Sequence, residues 1–390
     1  MQLSVRGGLF ILPSFLGLAL APSAHAENTN VRVKTEVSAY QDTVAVSVLT
    51  PAASATVESP TSGWNANGHY LVDMVSAASP DIVSTASPRW SEVRQAGGIS
   101  GGYKPGNFGF DASANVSYTN DYLSLNGGGR FTLDLDEKHL TLVGGYFYGH
   151  DVIGRTGTPF STFSRTLDTH AVTFGLTRVV NRTTVFSLGG DIALERGDQS
   201  KPYRYVPMFA PGVASTLQPG ASPSEVASAR IAARPLEQLP LARERYALTA
   251  RIVNHNGLGT LRVEERGYVD TWSLIGSTTD VRFYFDAGRR LEIGPHGRFH
   301  IQSAVSFWQR AYSATSAADI PALRTGDREL GALFTAGLGL GMRWQIGPSA
   351  EPQKLVLTFG ADGYATTFLD ALYVKNRLSL FTALGLEATF

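Results

Sequence analysis

The last residues of the chain alternate between apolar and polar positions. Leu378, Leu380, Leu384, Leu386, Ala388 and Phe390 fall on one side of an extended strand, and Ser379, Gly385, Glu387 and Thr389 fall on the other. Successive side chains of a strand point to opposite faces, so one face suits lipid and the other a polar interior. The pattern indicates a lipid-embedded strand that ends on a terminal aromatic residue.

Similar segments, separated by turn residues, recur from residue 31 onward. We predict sixteen strands, with fourteen or eighteen as alternatives, at residues 31–40, 43–57, 64–74, 91–103, 108–118, 122–134, 139–149, 167–179, 183–196, 243–254, 259–272, 278–290, 299–311, 330–344, 354–365 and 376–390. This array is typical of an all-β fold, a transmembrane antiparallel up-and-down β-barrel.

The lengths of the connections support the barrel. Every second connection is short, at residues 59–63, 104–107, 135–138, 180–182, 255–258, 291–298 and 345–353. The intervening set includes the longer connections 75–90, 150–166, 197–242, 312–329 and 366–375, although those near residues 41, 119 and 273 are short. Outer-membrane barrels have short periplasmic turns and long outer loops, so we expect both chain ends in the periplasm.

The N-terminal segment has the pattern of a secretory leader. Arg6 precedes an apolar run at residues 9–21, and Ala24-His25-Ala26 matches a signal-peptidase site. We therefore expect residues 1–26 to be a cleaved signal peptide and residues 27–390 to form a single barrel domain. The run is too short for a membrane-spanning helix, and a short buried helix is the alternative.

Composition narrows the classes of function. The leader holds Arg6 and no acidic residue, which leaves 33 − 1 = 32 basic against 33 acidic residues, so no net charge recruits nucleic acid. The absence of cysteine excludes disulfides and thiolate metal sites. The histidines show no paired spacing for a metal, and no nucleotide-binding motif is present. We therefore expect no cofactor.

Two segments carry a family resemblance. Residues 70–89 read YLVDMVSAASPDIVSTASPR, and residues 234–248 read RPLEQLPLARERYAL. Together with the strand array, they resemble an uncharacterised family of Gram-negative outer-membrane β-barrel proteins that is classed as a domain of unknown function. The resemblance implies a fold and a location, but it implies no activity and no functional residue.

Charged residues on the polar faces of the strands are the candidate site. We predict that the lumen is lined by Asp191, Glu195, Arg245, Arg251, Arg262, Glu264, Arg282, Asp286, Arg310, Arg343 and Asp362. Such groups can set the electrostatics of a water-filled pore. They can equally pair across strands and only solvate or plug the lumen, and Arg282 with Glu264 is one such candidate pair.

The longest connection contains a helix start. Ser222 is a candidate N-cap, Pro223 suits the first helical position and Glu225 the third, which predicts a short helix over residues 223–233. An aromatic and proline-rich stretch, including Tyr203, Tyr205 and Phe209, lies upstream. We expect this connection to cover the barrel mouth and govern access, the alternative being an exposed surface loop.

These patterns favour an outer-membrane barrel of a Gram-negative bacterium with a porin-like role as a channel or transporter for small polar solutes. The alternatives are a non-conducting structural or assembly barrel and a barrel enzyme. No catalytic triad is evident: His69 and Asp73 lie about 13 Å apart on one strand, and His300 has no partner in sequence. The expected partners are outer-membrane lipid and lipopolysaccharide, and the barrel-assembly machinery through Phe390.

Overall fold

The computed structural model describes residues 29–80, 84, 90–347 and 354–390. Sixteen strands form one closed barrel. They are β1 Asn30–Asp42, β2 Val46–Ser59, β3 Trp64–Ala77, β4 Trp90–Tyr103, β5 Phe108–Thr119, β6 Tyr122–Leu135, β7 Leu140–Ile153, β8 Arg165–Asn181, β9 Thr184–Gly197, β11 Ala242–Asn256, β12 Gly259–Asp270, β13 Ile275–Asp286, β14 Leu291–Gln302, β16 Leu333–Ile346, β17 Lys354–Phe368 and β18 Asn376–Thr389. The short strands β10 Met208–Phe209 and β15 Tyr312–Ser313 form a separate parallel pair.

The barrel closes where its first and last strands meet. Strand β1 pairs antiparallel with β18 over a register that includes Val37 opposite Leu384. Beyond it, the backbone of Val31 exchanges hydrogen bonds of 3.1 and 2.8 Å with Phe390. Every other barrel strand pairs antiparallel with the barrel strands that precede and follow it in the chain. The predicted sixteen-stranded antiparallel barrel is therefore confirmed.

The two ends of the barrel differ in their connections. We call one the short-turn end, since it carries the connections 60–63, 104–107, 136–139, 182–183, 257–258, 287–290 and 347–353 together with the start of β1 and the end of β18. The other, the long-loop end, carries the connections 43–45, 78–89, 120–121, 154–164, 198–241, 271–274, 303–332 and 369–375. The predicted alternation of short and long connections is present.

One predicted strand was misplaced. The sequence pattern put a turn at residues 291–298 and a strand at 299–311, whereas β14 runs from Leu291 to Gln302. The chain turns earlier, at Gly288, whose φ of 105° favours glycine, and Ala287 N donates to Leu291 O at 2.8 Å. Val305 is apolar because it packs against Leu239 in a loop cluster rather than on a strand face.

The faces of the barrel follow from the register, because directly paired residues share a face. Large apolar side chains exposed on the outside include Val37, Ile99, Phe131, Leu338 and Leu384. The alternate positions point inward and carry the charged side chains described below. The outer surface is thus largely apolar, as the alternation predicted.

Helices are few. The longest connection contains two α-helices, α1 Val213–Thr216 and α2 Pro223–Ala229. Three 3-10 turns lie at Asp136–Lys138, Ala317–Asp319 and Arg328–Leu330. In the part of the chain described here, no helix has the length and apolar character to cross a membrane. The predicted leader, residues 1–26, lies outside the described residues.

Candidate functional site: the lumen and its cap

Ten of the eleven candidate lumen residues lie on the inward faces of barrel strands. They are Asp191 and Glu195 on β9, Arg245 and Arg251 on β11, Arg262 and Glu264 on β12, Arg282 and Asp286 on β13, Arg343 on β16 and Asp362 on β17. The register brings several of them together, because β9, β11, β12 and β13 are consecutive neighbours in the barrel. One side of the lumen wall therefore concentrates most of the predicted charges.

These charges are arranged as ion pairs of alternating sign. Arg251 Nε and Arg262 Nη2 lie 2.6 and 2.7 Å from the same oxygen of Glu264. Elsewhere on the inward faces, Arg245 pairs with Glu195 at 3.1 Å, Arg266 with Asp191 at 2.8 Å and Arg94 with Asp73 at 2.5 Å, and at the short-turn end Lys104 reaches the inward Asp134 at 2.7 Å. The wall therefore presents both signs close together rather than a belt of one sign.

The predicted pair between Arg282 and Glu264 does not form. The register places Arg282 opposite Arg262 and places Glu264 opposite Asp280. Arg282 instead binds Asp280, two residues away on its own strand face, at 2.7 Å. The register thus places like charges opposite each other on β12 and β13, which is unfavourable. Each carboxylate therefore binds a different arginine: Asp280 binds Arg282, and Glu264 binds Arg251 and Arg262.

Arg310 is the one candidate that lies outside the barrel wall, so its prediction as a strand residue was wrong. The residue belongs to the connection 303–332, beyond the end of β14. Its guanidinium binds Asp370 in the connection 369–375. Arg310 therefore ties two loops together at the long-loop end.

A contact between a histidine and an aspartate on the inward face was not predicted from the sequence. His296 Nε2 lies 2.5 Å from Asp362 Oδ1, and His296 Nδ1 lies 3.2 Å from Gly294 O. The contact bridges β14 and β17 across β16, where Gly339 has no side chain to obstruct it. Both ring nitrogens face oxygen atoms, so neither is directed toward the lumen as a free base. Nothing in the spacing of His296 and Asp362 along the chain could have revealed this pair.

The long-loop end carries a folded cap, which we define as residues 198–241, 303–332 and 369–375. The parallel pair β10–β15 joins the first two segments, and so does the bridge between Gln238 and Arg324, with backbone hydrogen bonds of 3.0 and 2.9 Å. Gly220 N donates to Ala371 O at 3.0 Å and connects the third segment. The cap has its own apolar core around Phe209, Val226, Leu372, Met208 and Tyr312.

A network of charged side chains lies inside the cap. Glu237, only 2% exposed, accepts hydrogen bonds from Arg204 Nη1 at 3.2 Å, Thr325 Oγ1 at 2.6 Å and Lys201 N at 3.0 Å. Arg204 Nη1 also lies 2.7 Å from Asp327 Oδ2. Burial disfavours the ionised form of Asp327, but Arg204 outweighs it and holds the pKa of that carboxyl below its ordinary value.

The helix that the sequence predicted is present in the cap. Ser222 Oγ accepts from Glu225 N at 3.2 Å, and Ser222 N donates to Glu225 Oε2 at 2.7 Å, which completes a capping box. Hydrogen bonds from Ser222 lower the pKa of Glu225. Helix α2 ends at Ala229, earlier than predicted, because the chain then pairs Arg230 with Phe209 in an extended bridge. Val226 holds the helix against the cap core.

The cap extends across the barrel mouth. On one side, Tyr203 Oη donates to Asp121 Oδ2 at 2.5 Å in the connection between β5 and β6. On others, Arg234 Nη2 donates to Ser84 O at 3.0 Å between β3 and β4, and the 198–241 segment reaches Ala371 between β17 and β18. The segment starts from β9 and β11, so these contacts lie on both sides of its origin around the barrel.

A small cavity inside the cap has a volume of about 30 Å³ and is lined by residues that include Val206, Trp308, Arg310, Tyr312 and Leu372. This volume suits about one water molecule rather than a solute. Among the described residues, no cluster of three or more histidine or acidic side chains could hold a metal ion.

The buried network around Glu237, at the centre of the cap, was not predicted from the sequence. Glu237 sits in an apolar, proline-bounded stretch with Leu236, Leu239 and Pro240. A single acid in such a stretch is a weak signal of a buried, paired carboxylate. Its partners Arg204 and Asp327 lie far away in sequence, and no local pattern indicates them.

Solved structures with some likeness include outer-membrane proteins. The Pseudomonas putida toluene transporter TodX is 10% identical, with a TM-score of 0.40 over 96% of this chain and 92% of TodX. The siderophore receptor PirA from Pseudomonas aeruginosa is 10% identical, with a TM-score of 0.43 over 93% of this chain and 62% of PirA. CdiB from Acinetobacter baumannii is 8% identical, with a TM-score of 0.48 over 93% of this chain and 60% of CdiB. These values are too low to carry any of these activities to this chain.

Comparison of sequences, unlike the comparison of structures, identifies a family. No curated protein matches it. A family model described as a protein of unknown function, DUF3570, matches residues 23–369. That match covers nearly all of the chain and agrees with the resemblance noted from residues 70–89 and 234–248. The chain is therefore a member of the DUF3570 family of proteins of unknown function.

Proposed function

We propose that this protein is an outer-membrane barrel of a Gram-negative bacterium and acts as a porin-like channel or transporter for small polar solutes. The observation that carries the proposal is the closed sixteen-stranded barrel with an apolar outer face and a charged inner face. A closed barrel leaves no unpaired strand edge in lipid. Sixteen strands are enough to enclose an aqueous channel.

The proposal includes an orientation and a route of export. The start of β1 and the end of β18 lie at the short-turn end, where Val31 and Phe390 are hydrogen bonded, and we assign this end to the periplasm. The cap then faces the outside. Residues 1–26 would be removed as a signal peptide, leaving the barrel and cap as one domain. Phe390 would be the C-terminal residue recognised by the barrel-assembly machinery, and lipid with lipopolysaccharide would surround the apolar face.

The lumen wall favours polar solutes without a strong net charge. Pairs such as Arg251–Glu264 and Arg266–Asp191 place opposite charges within 2.6 and 2.8 Å of each other. Closely spaced opposite charges cancel at distance, so they hydrate the channel without repelling either sign strongly. Access from outside would be governed by the cap, because its segments extend across the mouth.

The alternatives have weaker support. A non-conducting structural or assembly barrel would need no charged lumen wall, although it could tolerate one. A barrel enzyme would need a luminal group free to transfer protons. His296 has both ring nitrogens occupied, and His300 contacts Thr278 Oγ1 at 2.8 Å and Gln302 Oε1 at 3.2 Å. Neither histidine is poised to act on a solute.

Planar-bilayer recording tests the proposal. The full chain and a variant that lacks residues 202–240 are refolded and compared, with a variant that lacks residues 157–162 of the neighbouring connection as control. We expect stable conductance from the full chain, a larger conductance after removal of the cap segment and little change in the control. No conductance from any of the three proteins would overturn the channel and favour the scaffold.

A further inference from the structure

One part of the lumen wall holds more cations than carboxylates. The register brings six inward-facing residues of β11, β12, β13 and β14 together as direct or diagonal neighbours. This group, which we call the arginine cluster, consists of Arg251, Arg262, Glu264, Asp280, Arg282 and Arg298. Its four guanidinium groups and two carboxylates leave an excess of two positive charges. Elsewhere on the wall, pairs such as Arg245 with Glu195 and Arg266 with Asp191 balance one cation with one carboxylate.

The two carboxylates of the arginine cluster are already bound to arginines. Glu264 accepts hydrogen bonds from Arg251 Nε at 2.6 Å and from Arg262 Nη2 at 2.7 Å, both on the same oxygen. Asp280, only 5% exposed, accepts from Arg282 Nε at 2.7 Å and from Arg282 Nη2 at 3.4 Å. Three of the four arginines thus share the two carboxylates.

Arg298 is the fourth arginine, and no carboxylate binds it. The register places Arg298 directly opposite Asp280 on β13 and Gly337 on β16. Asp280 binds Arg282 instead, and Gly337 has no side chain. Among the described residues, no hydrogen bond or ion pair engages the Arg298 side chain, which is exposed on the inward face. Its five N–H donors are therefore available to a solute in the lumen.

The neighbouring arginines add positive charge beside Arg298. Arg282 is its diagonal neighbour across β13 and β14, and Arg262 stands directly opposite Arg282. Long side chains at diagonal positions of a sheet lie within reach of each other. Arg262 also holds a buried Nε–H group without a hydrogen-bond partner. These three guanidinium groups form one continuous row across three strands, so an anion at Arg298 is attracted by all of them.

The other carboxylates near the cluster do not cancel this charge. Asp362 lies on β17, beyond β16, and is bound to His296 at 2.5 Å. Asp286 and Glu292 pair in the register near the short-turn end, where Arg343 stands opposite Glu292. Glu292 lies about 20 Å from Arg298 along β14, and salt in an aqueous lumen screens charges at that distance. The excess of positive charge therefore stays local to the arginine cluster.

We propose that the arginine cluster binds the anionic group of a small solute, a carboxylate or a phosphate, with Arg298 as the principal contact. The planar guanidinium presents paired N–H donors that match two oxygens of such a group. Chloride is a single atom and cannot use the paired donors in this way, so the cluster favours oxyanions over halides. The inference deepens the proposed function, on which it rests for the delivery of the solute.

Titration calorimetry tests the site without requiring conduction. The refolded full chain, in an uncharged detergent at low ionic strength, is titrated separately with sodium phosphate, sodium acetate and sodium chloride. We expect one saturable site for phosphate, for acetate or for both, at least tenfold tighter than for chloride. Binding of phosphate alone would identify phosphate-bearing solutes, and binding of acetate alone would identify carboxylate-bearing ones. Equal affinity for all three ions, or no saturable binding, would overturn the oxyanion site.

Two arginine variants separate the arginine cluster from the general charge of the lumen. Arg298→Gln should weaken anion binding at least tenfold and should fold normally, since the side chain has no partner to lose. Arg130→Gln is the matched control, because it removes one inward cation from β6, seven strands away, where Arg130 lies 3.5 Å from Asp111. We expect the control to stay within about twofold of the native affinity. Equal weakening in both variants would overturn the proposal.

Asp280→Asn tests the opposite sign. The substitution removes one carboxylate from the cluster and frees Arg282 from its ion pair, so the affinity for the anion should rise at least threefold. Asp111→Asn, the equivalent change beside Arg130, should leave the affinity unchanged. An affinity that falls or stays the same in Asp280→Asn would contradict the role of the excess charge.

Planar-bilayer recording of the same proteins separates this inference from the proposed channel. Anion binding without conductance would keep the arginine cluster as a binding site and overturn the channel. Conductance without calorimetric binding, and with no change of anion permeability in Arg298→Gln, would keep the channel and overturn the site. Binding together with an anion permeability that falls in Arg298→Gln but not in Arg130→Gln is the result we expect.

Discussion

Glu237 and Arg204 face each other inside the cap, with Arg204 Nη1 3.2 Å from Glu237 Oε1. They lie near opposite ends of one connection, so their contact closes that connection into a compact unit. Thr325 adds a hydrogen bond of 2.6 Å from the second loop. The pair therefore links the folding of the longest connection to its packing against the neighbouring one.

Replacing Glu237 with alanine should destabilise the cap and leave the barrel intact. The substitution removes a buried carboxylate and leaves Thr325 Oγ1 and Lys201 N without their acceptor. We expect a loss of about 2–3 kcal/mol in the local stability of the cap, since Arg204 keeps Asp327. Limited proteolysis should cleave this variant faster within residues 198–241. Exposed Asp319→Asn is the control, and equal cleavage of both would contradict the prediction.

Acidification should loosen the cap. Because the folded-state pKa of Asp327 is lowered, its ionised form stabilises the cap at any pH above the ordinary aspartate value of about 3.9, and the stabilisation is lost as the pH falls through the folded-state value. We expect conductance to stay level between pH 7 and about 4 and to rise as the pH is lowered further, through the folded-state pKa. Asp327→Asn should show a higher conductance at pH 7 and a weaker dependence on pH. An unchanged pH dependence in Asp327→Asn would exclude this carboxyl as the cause.

Gly339→Ala should break the contact between His296 and Asp362. A Cβ at Gly339 would collide with both His296 Nε2 and Asp362 Oδ1. Losing a charge-assisted hydrogen bond at this half-buried site should cost about 2 kcal/mol of barrel stability. Gly360→Ala on the same inward face of β17 is the matched control, because its Cβ would meet nothing within 4 Å. Urea unfolding in vesicles measures both, and equal midpoints would refute the prediction.

Glu264→Gln should shift the ion selectivity of the channel toward anions. Arg251 and Arg262 share this one carboxylate, at 2.6 and 2.7 Å, so its loss raises the net charge of the cluster by one positive unit and leaves both guanidinium groups unpaired with it. The reversal potential across a salt gradient measures the shift. Glu244→Gln is the control because Glu244 faces outward beside Arg196. A similar shift in both variants would show that the inner wall does not set selectivity.

A reversible disulfide should lock the two longest segments of the cap. Gln238 and Arg324 exchange backbone hydrogen bonds as an antiparallel pair, which brings their Cα atoms to about 5.5 Å, within the range of a disulfide. We expect the double variant Gln238→Cys/Arg324→Cys to conduct less when oxidised and to recover on reduction. The conductance of each single-cysteine variant should not change when the reductant is added. Equal conductance in both redox states would show that these segments do not part during permeation.

The sequence alone predicts most of the barrel, because the environment of each strand residue is decided locally. Alternation in residues such as Leu384 and Gly385 reflects one lipid face and one polar face, and it repeats strand by strand. Ten of the eleven candidate lumen residues are on the inward faces for this reason. The helix at Ser222 and Glu225 was predictable too, since a capping box is complete within four residues.

The tertiary structure alone decided the partners of those residues. Whether Arg282 meets Glu264 or Asp280 depends on the register between β12 and β13, and a shift of two residues preserves every face while changing each pair. The strand assigned to residues 299–311 failed because Val305 and Phe307 pack into a loop cluster, and burial in a loop selects the same apolar residues as a membrane face. Glu237, Arg204 and Asp327 become one network only when two loops fold together, and such contacts between distant segments leave no period in the sequence.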